Sequence, residues 1–217
     1  TAATPAMYED GANQLAFPGS STEEGRAATD VLQGNDALTD VADDAFAVAA
    51  AGSVTLNGQA FTGIDTLSGR GGADDFNLNA NFGGAVNGDA GTDEFFVNAT
   101  QTGQLAGGDG GDDFRLGGTV AANIQGGTGS DELIASTADT QFDLSEQNAG
   151  TAGLVGGAQS VTFSSIENLT GNTGNDRFIL DFNLGDTAET IVGAAVDNDG
   201  NDLFNINATQ SGALSGG

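Results

Sequence analysis

The sequence predicts an all-β chain, a parallel β-helix or β-roll solenoid with coils of 19 residues. Gly-rich segments begin at Gly69, Gly88, Gly107 and Gly126, and the aspartates that close them, Asp74, Asp93, Asp112 and Asp131, keep the same 19-residue interval. A fixed period of this size marks an architecture in which each repeat stacks on the last. After each aspartate the apolar residues alternate: Phe76 and Leu78, Phe95 and Val97, Phe114 and Leu116, Leu133 and Ala135. That two-residue period belongs to a strand with one buried face. A second apolar position, at Leu67, Val86, Leu105 and Ile124, recurs at the same interval. Two inward-pointing segments per coil, joined by turns, describe a flattened coil with its Gly/Asp-rich turns stacked along one edge. No segment has helical spacing long enough to compete.

Composition agrees with a thin core and excludes several classes of function. The chain has 217 residues, no Cys, His or Trp, four Arg as its entire basic complement, and a net charge of −27. Gly makes up 36 of those residues, well above the usual level of about 7%. Glycine has the most backbone freedom to lose on folding, so such a chain needs turns at positive φ or bound ions to make ordering worthwhile. The 38% apolar content is too high for a disordered acidic tail. Without Cys there is no disulfide framework and no Cys-based zinc site; without His the commonest general base and transition-metal ligand is missing. The acidic balance argues against nucleic acid or an anionic membrane as partner and for cations. No stretch resembles a signal peptide or a membrane span, and a chain that begins without Met is expected to be a processed or excised piece.

Taken in order, residues 1–33 carry no recognised copy of the repeat and are read as a tail, cap or linker, with residues 34–217 forming the repeat region. Asp36 lies 38 residues before Asp74, two coils of 19, while Asp44, Phe46 and Val48 show the same Asp-x-Phe-x-apolar order. The two readings overlap, and the register before Gly52 stays open. Ser53–Gly69 reads as strand, Asn57-Gly58 turn, strand. Regular coils occupy 69–144, irregular coils with outstanding loops 145–170, and a second block 171–217. Phe61–Leu78 aligns with Phe163–Leu180, and Phe95–Gly108 with Phe204–Gly217, so a longer repeat of 102 (163 − 61) to 109 (204 − 95) residues overlies the coil. The last turns close at Asp176 and Asp202, 26 residues apart, which places an inserted loop near 185–190. Asn-Ala-Thr triplets at Asn98 and Asn207 fit equivalent coil corners better than glycosylation sites.

The turn follows Gly-Gly-x-Gly-x-Asp-x-U-x, where U is a large apolar residue. Gly107–Arg115 and Gly126–Ile134 match it at every position, and the segments from Gly69, Gly88 and Gly171 keep the first Gly, the Asp and the apolar residue. In the last copy, from Asp197, aspartate replaces the first glycine. This resembles the calcium-binding nonapeptide of repeats-in-toxin proteins, which form parallel β-rolls. The resemblance implies Ca²⁺ held by the carboxylates of Asp74, Asp93, Asp112, Asp131, Asp176 and Asp202 and by carbonyls that include Gly69, Gly88, Gly107, Gly126 and Gly171. Asp89 and Asp109, which replace or flank turn glycines, would add ligands. That family has two such nonapeptides per 18-residue coil. Here there is one per 19, so ions are expected along one edge only.

Elementary electrostatics also asks for a cation. Stacked strands set equivalent residues about 4.8 Å apart, where two unit charges repel by about 3.5 kcal/mol at an effective dielectric of about 20. A column of aspartates opposes its own stacking until something neutralises it. Ca²⁺ accepts six to eight oxygens in flexible geometry, and six ions would move the net charge to about −15.

The pattern Phe-[Ser/Thr]-[Gly/Ser]-Ile-[Asp/Glu]-x-Leu-[Ser/Thr]-Gly before a Gly-rich turn resembles segments of very large bacterial surface proteins, the filamentous-haemagglutinin-like and repeats-in-toxin adhesins. It implies an extracellular, calcium-stabilised structural segment of an adhesin or of a surface, biofilm-matrix or filament protein, not an enzyme. Its partners would be calcium, neighbouring copies in a filament, or a surface or glycan ligand held elsewhere in a fuller chain, with no nucleic acid and no membrane insertion. Two alternatives are a self-assembling filament subunit joined by coil stacking or strand donation, and a calcium-roll module appended to a secreted enzyme.

Overall fold

The computed structural model describes residues 7–10, 13–16, 31–34, 43–50, 53–118, 120–136, 138–157, 159–184, 194–196, 201–210 and 213–215. Among these the chain is all-β. Its strands are β1 (Met7–Asp10), β2 (Asn13–Ala16), β3 (Val31–Gln33), β4 (Ala45–Ala50), β5 (Ser53–Leu56), β6 (Gln59–Thr62), β7 (Thr66–Gly72), β8 (Asp75–Leu78), β9 (Ala85–Gly91), β10 (Glu94–Val97), β11 (Gln104–Asp109), β12 (Asp113–Leu116), β13 (Ala122–Thr128), β14 (Glu132–Ile134), β15 (Thr140–Glu146), β16 (Ala149–Leu154), β17 (Gln159–Ser164), β18 (Asn168–Thr170), β19 (Arg177–Leu180), β20 (Ala194–Val196), β21 (Leu203–Ile206) and β22 (Leu214–Ser215).

Apart from the β1–β2 hairpin, these strands form two ten-stranded sheets. Sheet I runs β6-β5-β4-β8-β10-β12-β14-β18-β20-β22, and sheet II runs β3-β7-β9-β11-β13-β17-β16-β15-β19-β21. From β7 to β14 consecutive strands alternate between the sheets, and each pairs in parallel with its equivalent 19 residues away, as Phe95 does with Phe76 and Phe114 and Leu105 with Val86 and Ile124. The expected period is therefore the pairing register. Inward side chains of both sheets belong to one hydrophobic cluster, with Phe46, Phe76, Phe95, Phe114, Leu67, Val86 and Leu105 all at 1% exposure or less. Parallel stacking lays like on like. The rings of Phe46, Phe76, Phe95 and Phe114 stack at centroid spacings of 4.7, 4.8 and 4.5 Å, and those of Phe142, Phe178 and Phe204 at 5.0 and 4.7 Å. Burying one such side chain contributes roughly 1.5–3 kcal/mol.

Two antiparallel sets interrupt this regularity. β4, β5 and β6 form one, with the expected turn at Asn57 and Gly58, whose φ values of 48° and 82° suit a tight hairpin. β15, β16 and β17 form the other, where irregular coils were expected. β4 carries Phe46 and Val48 in register with β8, directly after Asp44, whose carbonyl accepts the Asp75 N–H, which resolves the open register; Asp36 lies outside the described residues. β3, inside the stretch read as tail, cap or linker, ends sheet II and buries Leu32. The insertion near 185–190 also lies outside the described residues, yet the pairing of Phe178 with Phe204 confirms the 26-residue step around it.

The longer repeat is a repeat of pairings. The contacts β3·β7, β4·β8, β7·β9, β8·β10 and β9·β11 recur as β14·β18, β15·β19, β18·β20, β19·β21 and β20·β22. The second unit is offset by half a turn of the chain. Its Asp-x-Phe strands, β19 and β21, lie in sheet II, whereas β8, β10, β12 and β14 lie in sheet I. The first four Gly/Asp turns thus pass from sheet II to sheet I, and the last two from sheet I to sheet II. The expectation of one turn edge is corrected: the second unit starts at β14 in sheet I, where its equivalent β3 starts the first in sheet II, so every later strand of the second unit lies in the opposite sheet from its counterpart.

Candidate metal centre

Each turn ends in an aspartate that points inward. Asp74, Asp93, Asp112, Asp131 and Asp176 are buried, at 1% exposure or less. The physical reason is an amide. The backbone N–H at this position has no partner in the parallel ladder, which starts one residue later, and the next repeat's carboxylate accepts it. Asp44 N–H donates to Asp74 Oδ1 (2.7 Å), Asp74 N–H to Asp93, Asp93 N–H to Asp112 and Asp112 N–H to Asp131 (2.9 Å each). Asp131 N–H donates to Glu167 Oε2 at 3.0 Å. In the second unit Thr140 N–H donates to Asp176 Oδ1 (2.5 Å) and Asp176 N–H to Asp202 Oδ1 (3.1 Å). The predicted carboxylates therefore form two columns: Asp74 to Asp131 together, Asp176 and Asp202 apart from them.

The second carboxylate oxygen explains the first glycine of the motif. Asp93 Oδ2 lies against the Cα of Gly88, where a methyl group would overlap it and stand 2.6 Å from Gly107 O. Gly69 with Asp74 and Gly107 with Asp112 repeat the arrangement, and at Gly126 the overlap is with Asp131 Oδ2 and Ser165 O. The Gly-to-Asp spacing of five residues is thus a contact. Each step gathers one carboxylate oxygen and one carbonyl oxygen at the same glycine. Oδ2 of Asp112 and Asp131 is buried and accepts no hydrogen bond among the described residues.

Burial sets the electrostatics. Desolvation, opposed by the bond from the Asp93 amide and helped by the charges of Asp113 and Asp109, raises the Asp112 carboxyl above its ordinary range. Asp131 is pushed up to about 7, by burial first and by Asp112, Glu167 and Asp113 in addition. Outside the column Asp75 and Asp113 are also raised, by burial and then by neighbouring acids such as Glu94 and Glu132. Arg115 offsets part of this by pairing with Glu94 and, at 2.8 Å, with Asp113.

Asp89 and Asp109 stand on the outer side of the turn. Asp89, at φ 74°, accepts from Ser68 Oγ (2.5 Å) and Arg70 N–H (3.3 Å); Asp109 accepts from Thr128 Oγ1 at 2.8 Å. Neither joins the buried column. Gly171 precedes a turn in which Asn172 N–H donates to Asp176 Oδ2 at 3.2 Å, so Asp176 has both oxygens engaged.

Buried oxygen donors, one of them unbonded at Asp112 and Asp131, and carbonyls converging beside them suit a hard cation such as Ca²⁺. Among the described residues no three acidic side chains cluster as a metal group, so a cation here would draw the rest of its shell from turn carbonyls. Sequence reasoning missed three participants. Glu167 and Asp44 belong to the hydrogen-bonded column. Gln101, buried at the opposite corner, donates through Nε2 to Ala80 O and Ala99 O and accepts from Phe82 N–H. Gln210 makes the same three bonds to Phe182, Ala208 and Leu184. The repeated Asn-Ala-Thr-Gln at 98–101 and 207–210 was the available signal. The triplets do sit at equivalent corners, with Asn98 bonded to Asn79 and Asn207 to Asp181. No family model, curated protein or solved structure matches this chain.

Proposed function

We propose that the chain is a β-solenoid of the repeats-in-toxin kind, a structural rod held together by calcium outside the cell, as part of a bacterial adhesin or of a surface or matrix filament. Catalysis has no place in this reading. The observation that carries it is the buried carboxylate column, in which every Oδ1 is committed to an amide and Oδ2 of Asp112 and Asp131 is left without a proton donor. Ca²⁺ would take Oδ2 of Asp74, Asp93, Asp112 and Asp131 with carbonyl oxygens of Gly69, Gly88, Gly107 and Gly126, and in the second unit Asp202, Asp176 and the Gly171 turn. It would supply the positive charge that a stack of buried acids lacks. Because the two units place their turns on opposite passages between the sheets, the ions would lie in two rows. A rod of this kind folds where calcium is millimolar and stays open where it is scarce, which suits secretion before folding. Far-ultraviolet circular dichroism tests it: EDTA should abolish most of the strand signal and calcium restore it, and a spectrum indifferent to both refutes the reading.

A further inference from the structure

Glu167 closes the first carboxylate column differently from the aspartates before it. Its Oε2 accepts the Asp131 N–H at 3.0 Å, the bond that every step of the column makes, and its Oε1 accepts Asn148 Nδ2 at 2.8 Å. Asn148 stands at φ 55° in the turn between β15 and β16, a conformation that asparagine tolerates better than most residues. Where Asp112 and Asp131 leave Oδ2 without a proton donor among the described residues, a side-chain amide fills the place at Glu167. Glu167 is 5% exposed, so its charge is buried with a donor on each oxygen.

Asp176, beside the same antiparallel set, is satisfied in the same way. Thr140 N–H donates to its Oδ1 and Asn172 N–H to its Oδ2, and Asp139 next to them accepts the Asn175 N–H at 3.0 Å. A buried charge costs far less when hydrogen bonds occupy its lone pairs. The stack from Asp74 to Asp131 calls for a cation; the carboxylates at the joint between the units carry their own donors.

Three further features make the joint self-sufficient. Its pairing is local: Leu144 pairs with Gly150, six residues on (150 − 144), and Ala152 with Val161, nine on (161 − 152), against 19 for each parallel step. Short-range pairs close with less loop entropy and form early. Its charge is sparse: Asp143 and Glu146 are the acids between 140 and 164, whereas residues 74–94 hold five. Its inner face is apolar, with Phe142, Leu144, Val161, Phe163, Ile166 and Leu169 at 4% exposure or less. Three strands with such a face, packed against a neighbour, meet the requirement for standing alone.

We infer that β15 to β19 form a calcium-independent nucleus of the rod. The antiparallel set, closed by the Asn148–Glu167 and Thr140–Asp176 contacts, stays folded when the ion is withdrawn, and calcium stacks the coils onto it, toward Asp74 on one side and Asp202 on the other. The first antiparallel set makes the same kind of contact, Asn57 Nδ2 donating to Asp44 Oδ1 at 2.6 Å. The row from Asp74 to Asp131 is thus held between two carboxylates that asparagine amides bind. This rests on the calcium reading and deepens it by naming where the ion-driven stacking begins.

Hydrogen exchange of the intact chain, followed by mass spectrometry in EDTA and in calcium, tests it. In EDTA the central strand β16 should exchange on the order of a hundredfold more slowly than unstructured peptide, while β8, β10 and β12 exchange freely; in calcium all four should be protected. Asn148→Gly keeps a residue at ease with positive φ and removes the amide. In EDTA it should speed the exchange of β16 about tenfold, and in calcium it should leave β8, β10 and β12 protected, which shows that the variant folds. Free exchange of β16 in the parent in EDTA, or parental exchange of β16 in Asn148→Gly, overturns the inference and leaves the calcium reading standing. Protection of β8, β10 and β12 that EDTA does not reduce refutes the calcium reading and, with no contrast left, overturns the inference as well.

Discussion

Replacing Asp131 by Asn separates the two jobs of the buried carboxylate. Asparagine keeps an oxygen for the Asp112 N–H, which Asp131 Oδ1 accepts at 2.9 Å, and it removes the charge. Burial and the neighbouring acids hold the folded carboxyl at about 7, against 3.8 unfolded. The folded state therefore keeps the proton to higher pH. Its stability contribution is fully present below about pH 4 and is lost as pH rises through 7. At 1.36 kcal/mol per unit that loss is roughly 4 kcal/mol by pH 8. Without metal, Asp131→Asn should thus be the more stable protein at pH 8, by up to that amount, and the advantage should vanish near pH 4. At roughly 2–4 °C per kcal/mol for a chain of this size, thermal melts in EDTA, with sulfate added to keep the metal-free chain folded, should show a rise on the order of 10 °C. In calcium that advantage should shrink by more than half. The lost ligand removes ion binding that would add about 2.7 kcal/mol at a hundredfold excess over Kd. If Asp131→Asn melts below the parent in EDTA at pH 8, or shows the same shift with and without calcium, the buried charge is not what the ion offsets.

Three further substitutions probe the frame. Gly107→Ala should cost about 1–3 kcal/mol, because the added methyl overlaps Asp112 Oδ2 and stands 2.6 Å from Gly126 O; urea unfolding in calcium measures it. Gln101→Ala strands the Phe82 amide and the Ala80 and Ala99 carbonyls at a buried corner, at about 1–3 kcal/mol for each group that water does not reach, and hydrogen exchange at Phe82 should accelerate first. Phe95→Ala opens the middle of the ring stack between Phe76 and Phe114 and should cost about 3–5 kcal/mol in the same urea assay.

Much of this was legible in the residues because parallel stacking writes its register as a period. The 19-residue interval fixed the pairing of β7 through β14, and the Asp-x-Phe alternation fixed what faces the core. Three features were not legible. An antiparallel set such as β15–β17 leaves no period, only Gly, Thr and Gln at strand alternation, so it read as irregular coil. The phase shift between the units follows from the second unit's starting at β14 in sheet I, which no residue pattern marks. Glu167 took the place of an aspartate by reaching one methylene further from a different spacing, and it was visible only as the acid in Phe163–Leu169. The aspartates themselves were read as ligands. Their first task, accepting the amide one repeat back, needed the stack in three dimensions.

The central claim is that calcium lies against the buried carboxylates of both units. Crystals grown in millimolar calcium and measured for anomalous scattering address it directly. The account predicts peaks beside Oδ2 of Asp93, Asp112 and Asp131 in one row, and a second row at Asp176 and Asp202 on the other passage between the sheets. Turns without density at that concentration, around the same hydrogen-bonded column, would contradict it and leave a stack that stands without metal.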